Sequence, residues 1–425
     1  MTAVDGTSPK FLRGKYAIVG VGETEYTRGS GCTTRAMGTR AVRAAIEDAG
    51  LTPKDVDGML SYSNNDSTHS PTIGGDLGIR LNFHMDVYGG GSSIEALIGI
   101  AIGVVEAGMC QVVAIFRSMN GYSQLRMGGS GASGRSRLGA GGMFGSMAGG
   151  FYGAGIGTVS PAHIFSASFM RHMYDYGTTP DQVAHVKAIH SEHASNNPKA
   201  YYKNRVTVDD VLSSRMICKP LHLLDCCVET DNAAAIVVTS TDRARDLKHT
   251  PVTIQSVVGR CTKPRPEMHY QSGPISTAAG VYAREILWPN AGVGPEEIDI
   301  TGSYDAFTFT TLMQLEDYGF CKKGEGGEYV SSGIMRLGGG RPNNTSGGQL
   351  CEGYTHGVSL VIENVRQLRH DADDSCPIGA DGCRKHTYDY AEGGCRQARD
   401  VELSANMGWA TPGMGSALVM ARAAR

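Results

Sequence analysis

The residues of this chain whose type and setting can do chemistry are two tyrosines, one histidine, a serine pair and a group of thiols. Tyr304 closes the apolar run that begins at Ile300, in Ser303-Tyr304-Asp305-Ala306-Phe307. Tyr354 lies in Asn344-Thr345-Ser346-Gly347-Gly348-Gln349-Leu350-Cys351-Glu352-Gly353-Tyr354-Thr355, directly before His356. A phenol has a pKa near 10, and lowering it to about 8 requires roughly 2.7 kcal/mol of preferential stabilisation of the phenolate. A dry pocket raises it instead, so a positive charge, donated hydrogen bonds or a helix N-terminus must compensate. Otherwise the tyrosine must relay its proton, to water or to His356. Taken singly, a tyrosine is more often a packing residue whose hydroxyl merely finds a partner.

The serines and thiols carry weaker signals. Ser92 and Ser93, at the end of Asp86-Val-Tyr-Gly-Gly-Gly-Ser-Ser93, lack the G-x-S-x-G elbow of a serine nucleophile and are expected to cap a helix. Eleven cysteines, an odd number in a long chain whose start carries no secretory pattern, argue for reduced thiols. Cys376, Cys383, His386 and Cys395 fall in an irregular polar segment and offer three thiolates and one imidazole. Their C-x6-C-x2-H-x8-C spacing matches no tight zinc knuckle. The expectation is a surface loop with free thiols and no cofactor in this chain, zinc being the alternative.

The elements that must position these residues come from a repeat. Residues 15–22 read as a buried strand, followed by a helical segment over 33–48, then Ala49-Gly-Leu-Thr-Pro-Lys-Asp-Val-Asp57 and another apolar strand. Residues 252–259 again read as a strand, and after a second helical segment Ala291-Gly-Val-Gly-Pro-Glu-Glu-Ile-Asp299 leads into the run that ends at Tyr304. The shared pattern A-G-[LV]-x-P-x-[DE]-[VI]-D, with Pro53 and Pro295 at turn positions, marks a duplication. A further echo sets the glycines at 89–91 beside Gly347 and Gly348, each before a helix. Strands alternating with helices predict an α/β protein of two similar units with mostly parallel sheet.

Composition bounds the partners. With 425 residues, 41% hydrophobic and 19% charged, the chain can bury a large core, and a net charge of -3 without basic runs favours neither nucleic acid nor an anionic membrane. Residues 94–109 are too short for a bilayer and carry Glu95 and Glu106, which predicts a buried core helix rather than a span. Residues 1–10 show no basic stretch followed by an apolar one, so the expectation is a short loose tail and a cytoplasmic protein. The glycine-rich run 128–157 has neither the strand-G-x-G-x-x-G nor the G-K-[ST] setting of a nucleotide site, and is expected to be a loop beside the active site or against a partner.

The spacing of Asn344, Gly347, Gly348 and Gly353 resembles the thiolase superfamily, where the pattern N-x-x-G-G-x-x-x-x-G is followed by His-Pro rather than Tyr354-Thr355. The stretches Tyr176-Gly-Thr-Thr179, Asn196-Asn-Pro198, Leu224-Asp-Cys-Cys227 and Asp231-Asn-Ala-Ala-Ala235 are similar to its lipid-transfer-protein branch, though they read by themselves as turns, helix stops and a strand start. The resemblance spans nearly the whole chain. It implies a five-layered α-β-α-β-α core, usually dimeric, with a first half over 11–250 that includes an insertion at about 118–225, and a second half over 251–425.

The departures from that pattern carry the functional expectation. A thiolase needs a nucleophilic cysteine at the start of a core helix, and whichever of Tyr88, Gly89 or Gly90 stands there, none is a thiol. The second cysteine is absent from Asn406-Met-Gly-Trp-Ala-Thr-Pro-Gly-Met-Gly415, although Gly413 and Gly415 would let backbone N–H groups approach a thioester oxygen. Tyr304 stands where thiolases have the Asn of Asn-Glu-Ala-Phe, and Tyr354 where they have the histidine. Two phenols without the thiols fit retro-aldol cleavage of a β-hydroxyacyl thioester, which needs a base, an oxyanion site and an acid but no nucleophile.

The pattern resembles thiolase-fold aldolases that shorten steroid side chains. That resemblance implies an acyl-CoA substrate, CoA being part of it, cleavage to a ketone or aldehyde and propionyl-CoA or acetyl-CoA, a homodimer, and a small zinc-ribbon/OB-fold partner. Tyr354 is expected as base and Tyr304 as acid, the reverse remaining open, with Gly89, Gly90, Gly413, Gly415, Asn344, Gly348 and His356 as oxyanion or substrate-binding residues. The competing readings are a non-catalytic subunit that binds acyl-CoA on the same fold, and a condensing or decarboxylating relative in which His356 replaces the lost histidine.

Overall fold

A computed structural model describes residues 12–64, 66–123, 160–264, 273–380, 383–409 and 413–423. The tail 1–10 and the glycine-rich run 128–157 lie outside them. The first half contains β1 (Tyr16–Glu23), α1 (Thr34–Asp48), β2 (Gly58–Ser63), α2 (Ser70–Leu77), β3 (Phe83–Tyr88), α3 (Ser93–Glu106) and β4 (Val113–Asn120). An excursion follows through α4 (Pro161–Tyr176), α5 (Pro180–Ser195), α6 (Val208–Ser213) and the small hairpin β5 (Met216–Cys218) and β6 (Leu221–His222), before β7 (Asp231–Ser240). The second half contains β8 (Val252–Thr262), α7 (Gly280–Ala291), β9 (Ile300–Ser303), α8 (Thr308–Asp317), α9 (Gly326–Ser331), α10 (Val358–Arg369), β10 (Leu403–Gly408) and β11 (Met414–Arg422).

The strands pair in the order β3-β2-β4-β7-β1 and then β8-β11-β10-β9. Only Ala17↔Thr253 and Ile18↔Val252 join the two runs, so they are two sheets meeting at one edge. The repeat is visible in the backbone: Pro53–Asp55 and Pro295–Glu297 each form a single 3-10 turn that delivers the chain into β2 and β9. The mostly parallel expectation is corrected. β2 pairs in parallel with β3 and β4, and β9 with β10, but β4–β7, β7–β1, β8–β11 and β11–β10 are antiparallel. The short β10–β11 connection permits only an antiparallel neighbour, because a parallel return needs a crossover.

Five layers follow from which faces are apolar. Met37, Ala41, Val42 and Ile46 of α1 and Ile73 of α2 cover the outer face of the first sheet. Ile94, Leu97 and Ile98 of α3 and Val358, Val361 and Ile362 of α10 fill the space between the sheets, against Leu60, Ile236, Ile254 and Leu418. Leu287 of α7 and Leu312 and Leu315 of α8 cover the outer face of the second sheet. α10 is buried from Val358 through Val365 without a polar stripe at the surface, as a helix in a middle layer must be. The core-helix expectation for 94–109 is met by α3, and no helix among the described residues is long and apolar enough to cross a membrane.

One echo is misplaced in the sequence reading. Gly347 and Gly348, at φ of 100° and 59°, lead only into a single turn over 348–351. The central helix α10 starts after Gly357, at φ of 96°, so the counterpart of the glycine turn before α3 is 353–357.

Candidate active site

The end of the second strand of each half and the turn before each central helix come to one place. β9 ends in Ser303 and hands over to Tyr304. The Tyr304 backbone N–H donates to Met407 O at 3.0 Å, and its carbonyl accepts from Thr310 Oγ1 at 2.8 Å and Gln314 Nε2 at 2.9 Å. The turn before α10 carries Tyr354, whose carbonyl accepts from Asn232 Nδ2 at 3.0 Å and whose N–H donates to Thr230 Oγ1 at 3.2 Å. Both rings are buried, 5% and 7% exposed, and their hydroxyl oxygens stand 2.6 Å apart with the rings edge to face. Burial pushes both hydroxyls well above the ordinary phenol range, Arg117 opposing this at each, and either hydroxyl can be the donor of the bond between them. In this dry setting neither tyrosine is a standing phenolate.

His356 is fixed by a residue that the sequence did not single out. Arg117 on β4 is fully buried, its Nη2 pairs with Asp66 Oδ2 at 2.6 Å, and its Nε and Nη2 lie 3.2 and 3.1 Å from His356 Nδ1. A guanidinium only donates, so Nδ1 must accept and the single ring proton of the neutral imidazole sits on Nε2. Burial and Arg117 together push His356 down to about 3. Tyr62 Oη donates to the His356 carbonyl at 2.8 Å and holds the backbone at its unusual φ of 54°. The expectation that His356 takes up the lost base role is therefore corrected: its one lone pair is engaged by a cation, and what it offers is an Nε2–H donor.

That donor faces a gap left by glycine. A Cβ at Gly90 would meet nothing closer than His356 Nε2 at 3.7 Å and Asn64 Nδ2 at 3.8 Å. Asn64, just past the end of β2, is 8% exposed, and both its Nδ2 and its Oδ1 lack a hydrogen-bond partner among the described residues. A buried amide without a partner is costly, and it marks a place where a ligand atom completes the set. Gly89 and Gly91 are glycines for a different reason. A Cβ would fall 1.4 Å from Arg260 Nη2 at the first and 2.2 Å from the Tyr304 ring at the second.

The remaining expected site residues support rather than line this place. Asn344 is corrected to a clamp: its Oδ1 accepts from Ser303 N and its Nδ2 donates to Ser303 O, both at 2.9 Å, holding the strand end that carries Tyr304. Gly348 makes room for the Asp305 carboxylate, which accepts from the N–H groups of Gln349 and Leu350. Gly415 packs toward Gly280 and Tyr318 of the outer helical layer, and the Gly413 carbonyl accepts from Lys263 N, so neither is brought to the tyrosines. From that hairpin it is Trp409 that reaches the site, its carbonyl lying against Gly91 and its ring edge-on to Phe165. Ser92 occupies the N-cap position of α3 without capping through its hydroxyl, and Ser93 Oγ accepts from Arg260 Nη2 at 3.0 Å instead. One thiol does stand near the pair, Cys227, but burial holds it well above its ordinary pKa, which leaves it a poor nucleophile.

Comparison with known proteins bears on the fold and the family. Residues 266–387 match the family described as thiolase C-terminal domain-like. The chain is 37% identical over 363 residues to a Mycobacterium tuberculosis protein named 17-hydroxy-3-oxo-4-pregnene-20-carboxyl-CoA lyase, covering 84% of this chain and 92% of that one. It is 36% identical over 363 residues to a steroid side-chain-cleaving aldolase of Thermomonospora curvata, covering 84% and 91%. A solved structure named Ltp2-ChsH2(DUF35) aldolase superposes with a TM-score of 0.82 at 31% identity, over 97% of this chain and 98% of that one.

A five-layered duplicated core that has lost both thiols and gained two facing phenols defines a thiolase-fold carbon-carbon lyase. Within that class, the chain belongs to the family of the steroid side-chain-cleaving aldolases.

Proposed function

We propose that this enzyme cleaves a β-hydroxyacyl-CoA with a steroid side chain by a retro-aldol reaction, and that the tyrosine pair moves the proton without ever becoming charged. The observation that carries this is the 2.6 Å contact between two buried hydroxyls whose ionisation burial opposes. Tyr354 accepts the proton of the substrate hydroxyl while passing its own to Tyr304. The O–H bonding pair becomes the C=O of the released ketone or aldehyde, and the breaking carbon-carbon bond leaves its pair on the thioester enolate. In the same concerted transfer Tyr304 gives its own proton to the carbon freed by the breaking bond, so neither hydroxyl ever holds two protons, and the short acyl-CoA results. Every proton is accounted for, and no phenolate has to be stabilised in a dry site.

The enolate oxygen is held by His356 Nε2–H and the Asn64 amide beside Gly90. Two neutral donors preorganised in a buried site act where charge develops. Arg117 positions the histidine. The same lock argues against a condensing reaction with His356 as base.

The reading extends to assembly. Similarity to an aldolase whose name pairs it with a DUF35 protein supports a small partner of that zinc-ribbon/OB-fold kind here. The edge position of β3, with Met85 38% and Tyr88 51% exposed, supports pairing with a second copy of this chain. A cytoplasmic setting fits a CoA thioester substrate. The test is to incubate the full chain, with and without such a partner, with a steroid β-hydroxyacyl-CoA and follow carbonyl product and short acyl-CoA together. Equal release of both supports the proposal; binding of the thioester without turnover in either condition supports the non-catalytic reading and ends this one.

A further inference from the structure

Away from the tyrosines lies the segment expected to be a surface loop. The stretch between Cys376 and Cys395 lies largely at the surface, as expected, but the two cysteines themselves are 7% and 2% exposed, because the chain packs down at 376 and at 395–398. Residues 377–379 and 383–385 pair antiparallel, with Lys385 N donating to Pro377 O at 2.9 Å and Gly379 N to Cys383 O at 2.8 Å, and the outer ends bring Cys376 and His386 together. Cys395 returns to the same point. The two sulfurs and one imidazole nitrogen lie within 4.8 Å of one another.

We propose that Cys376, His386 and Cys395 bind a zinc ion that fastens this segment to α10. Two features point to a ligand, the convergence of the three donor atoms and the free nitrogen of the histidine. His386 Nε2–H donates to the His370 carbonyl at 2.9 Å, which leaves the lone pair on Nδ1, and Nδ1 is buried without a hydrogen-bond partner among the described residues. A metal-bound histidine is usually oriented in this way, through its other nitrogen. Two sulfurs and a nitrogen select zinc over the hard cations, which take oxygen.

The Asp373 carboxylate lies outside the trio, its oxygens accepting from Ser375 and from Arg396 N, so a water takes the fourth position. Cys383 is exposed and outside the trio. The segment is already tied to α10, through Arg396 with Glu363 and through Gln397 Nε2 donating to Gln367 O at 2.9 Å. The metal thus closes a loop against the helix whose first turn follows Tyr354 and His356.

The experiment is metal analysis of the full chain purified alone, without chelator and under reducing conditions. One zinc per chain is expected. Cys376→Ser and Cys395→Ser should each lower zinc content or affinity about 10-fold or more, while Cys383→Ser keeps it. Because the first two variants can fail to fold, cobalt is also exchanged into the unmodified chain, where thiolate-to-cobalt absorption and strong visible bands report a tetrahedral site with sulfur ligands. A chain that takes up neither metal, a Cys383→Ser variant that loses as much zinc as Cys376→Ser, or a Cys376–Cys395 disulfide in the reduced preparation overturns the proposal.

Discussion

The turn before α3 and the turn before α10 hold equivalent places in the two halves, and they contribute opposite things. The first is three glycines, so it contributes room: Gly91 lets the Tyr304 ring come against the backbone, Gly89 admits Arg260, and Gly90 leaves a gap. The second contributes side chains, a phenol and an imidazole two residues apart, on a backbone bent by His356 at φ of 54° and Gly357 at 96°. The strand ends preceding them differ in the same way. β2 leads to an amide with no hydrogen-bond partner among the described residues, β9 to a hydroxyl that has one. On the mechanism proposed, one half of the duplication is the receptor for a developing negative charge and the other the carrier of a proton.

That division can be broken from the proton side first. Tyr304→Phe and Tyr354→Phe should each lower kcat by about 100-fold or more in the release assay, with KM changed little, because each removes one link of the relay and leaves the packing in place. On the receptor side, Asn64→Ala should lower kcat/KM by about 10- to 100-fold without lowering the melting temperature. An oxyanion donor is lost, yet no protein hydrogen bond goes with it. A fall in stability matching the fall in rate would make Asn64 a structural residue instead.

The glycines sharpen the comparison through stability. Gly91→Ala places a methyl 2.2 Å from the Tyr304 ring and should cost about 2–3 kcal/mol in denaturant unfolding. Gly90→Ala, with its nearest neighbour at 3.7 Å, should fold nearly as well as the parent and lose turnover by crowding the donors. Equal stabilities for the two would contradict the division.

The smallest effect concerns α3 itself. Glu95 in its first turn accepts from Ser416 Oγ, and burial pushes its carboxyl from 4.5 up to about 7. Between those values the folded chain keeps a proton that the unfolded chain has released, so this group costs stability increasingly as pH rises toward 7. Glu95→Gln carries no such slope. It should gain on the parent by up to about 3 kcal/mol between about pH 5 and pH 8, as followed by denaturant midpoints across that range.

How much was legible follows from what each residue depends on. Tyr304 and Tyr354 could be picked out because each is set in a local glycine or strand pattern, and the Pro53 and Pro295 turns because the chain repeats itself. Arg117 and Asp66 could not, since they meet His356 across more than two hundred residues of sequence. The one signal for Arg117 was a cation in the middle of an apolar strand, Val113–Asn120, where a buried partner has to exist. Asn344 misled for the opposite reason: its motif position is shared with sites that bind substrate, while its amide here is used up on Ser303. The antiparallel pairings were missed because apolar runs buried on both faces read alike in either direction.

The most direct test of the relay is the double variant Tyr304→Phe/Tyr354→Phe measured beside the two single variants. Two hydroxyls that pass one proton act as a unit, so the double variant should be no slower than the slower single one, within about threefold. Rate losses that multiply, or near-normal turnover in either single variant, would contradict it.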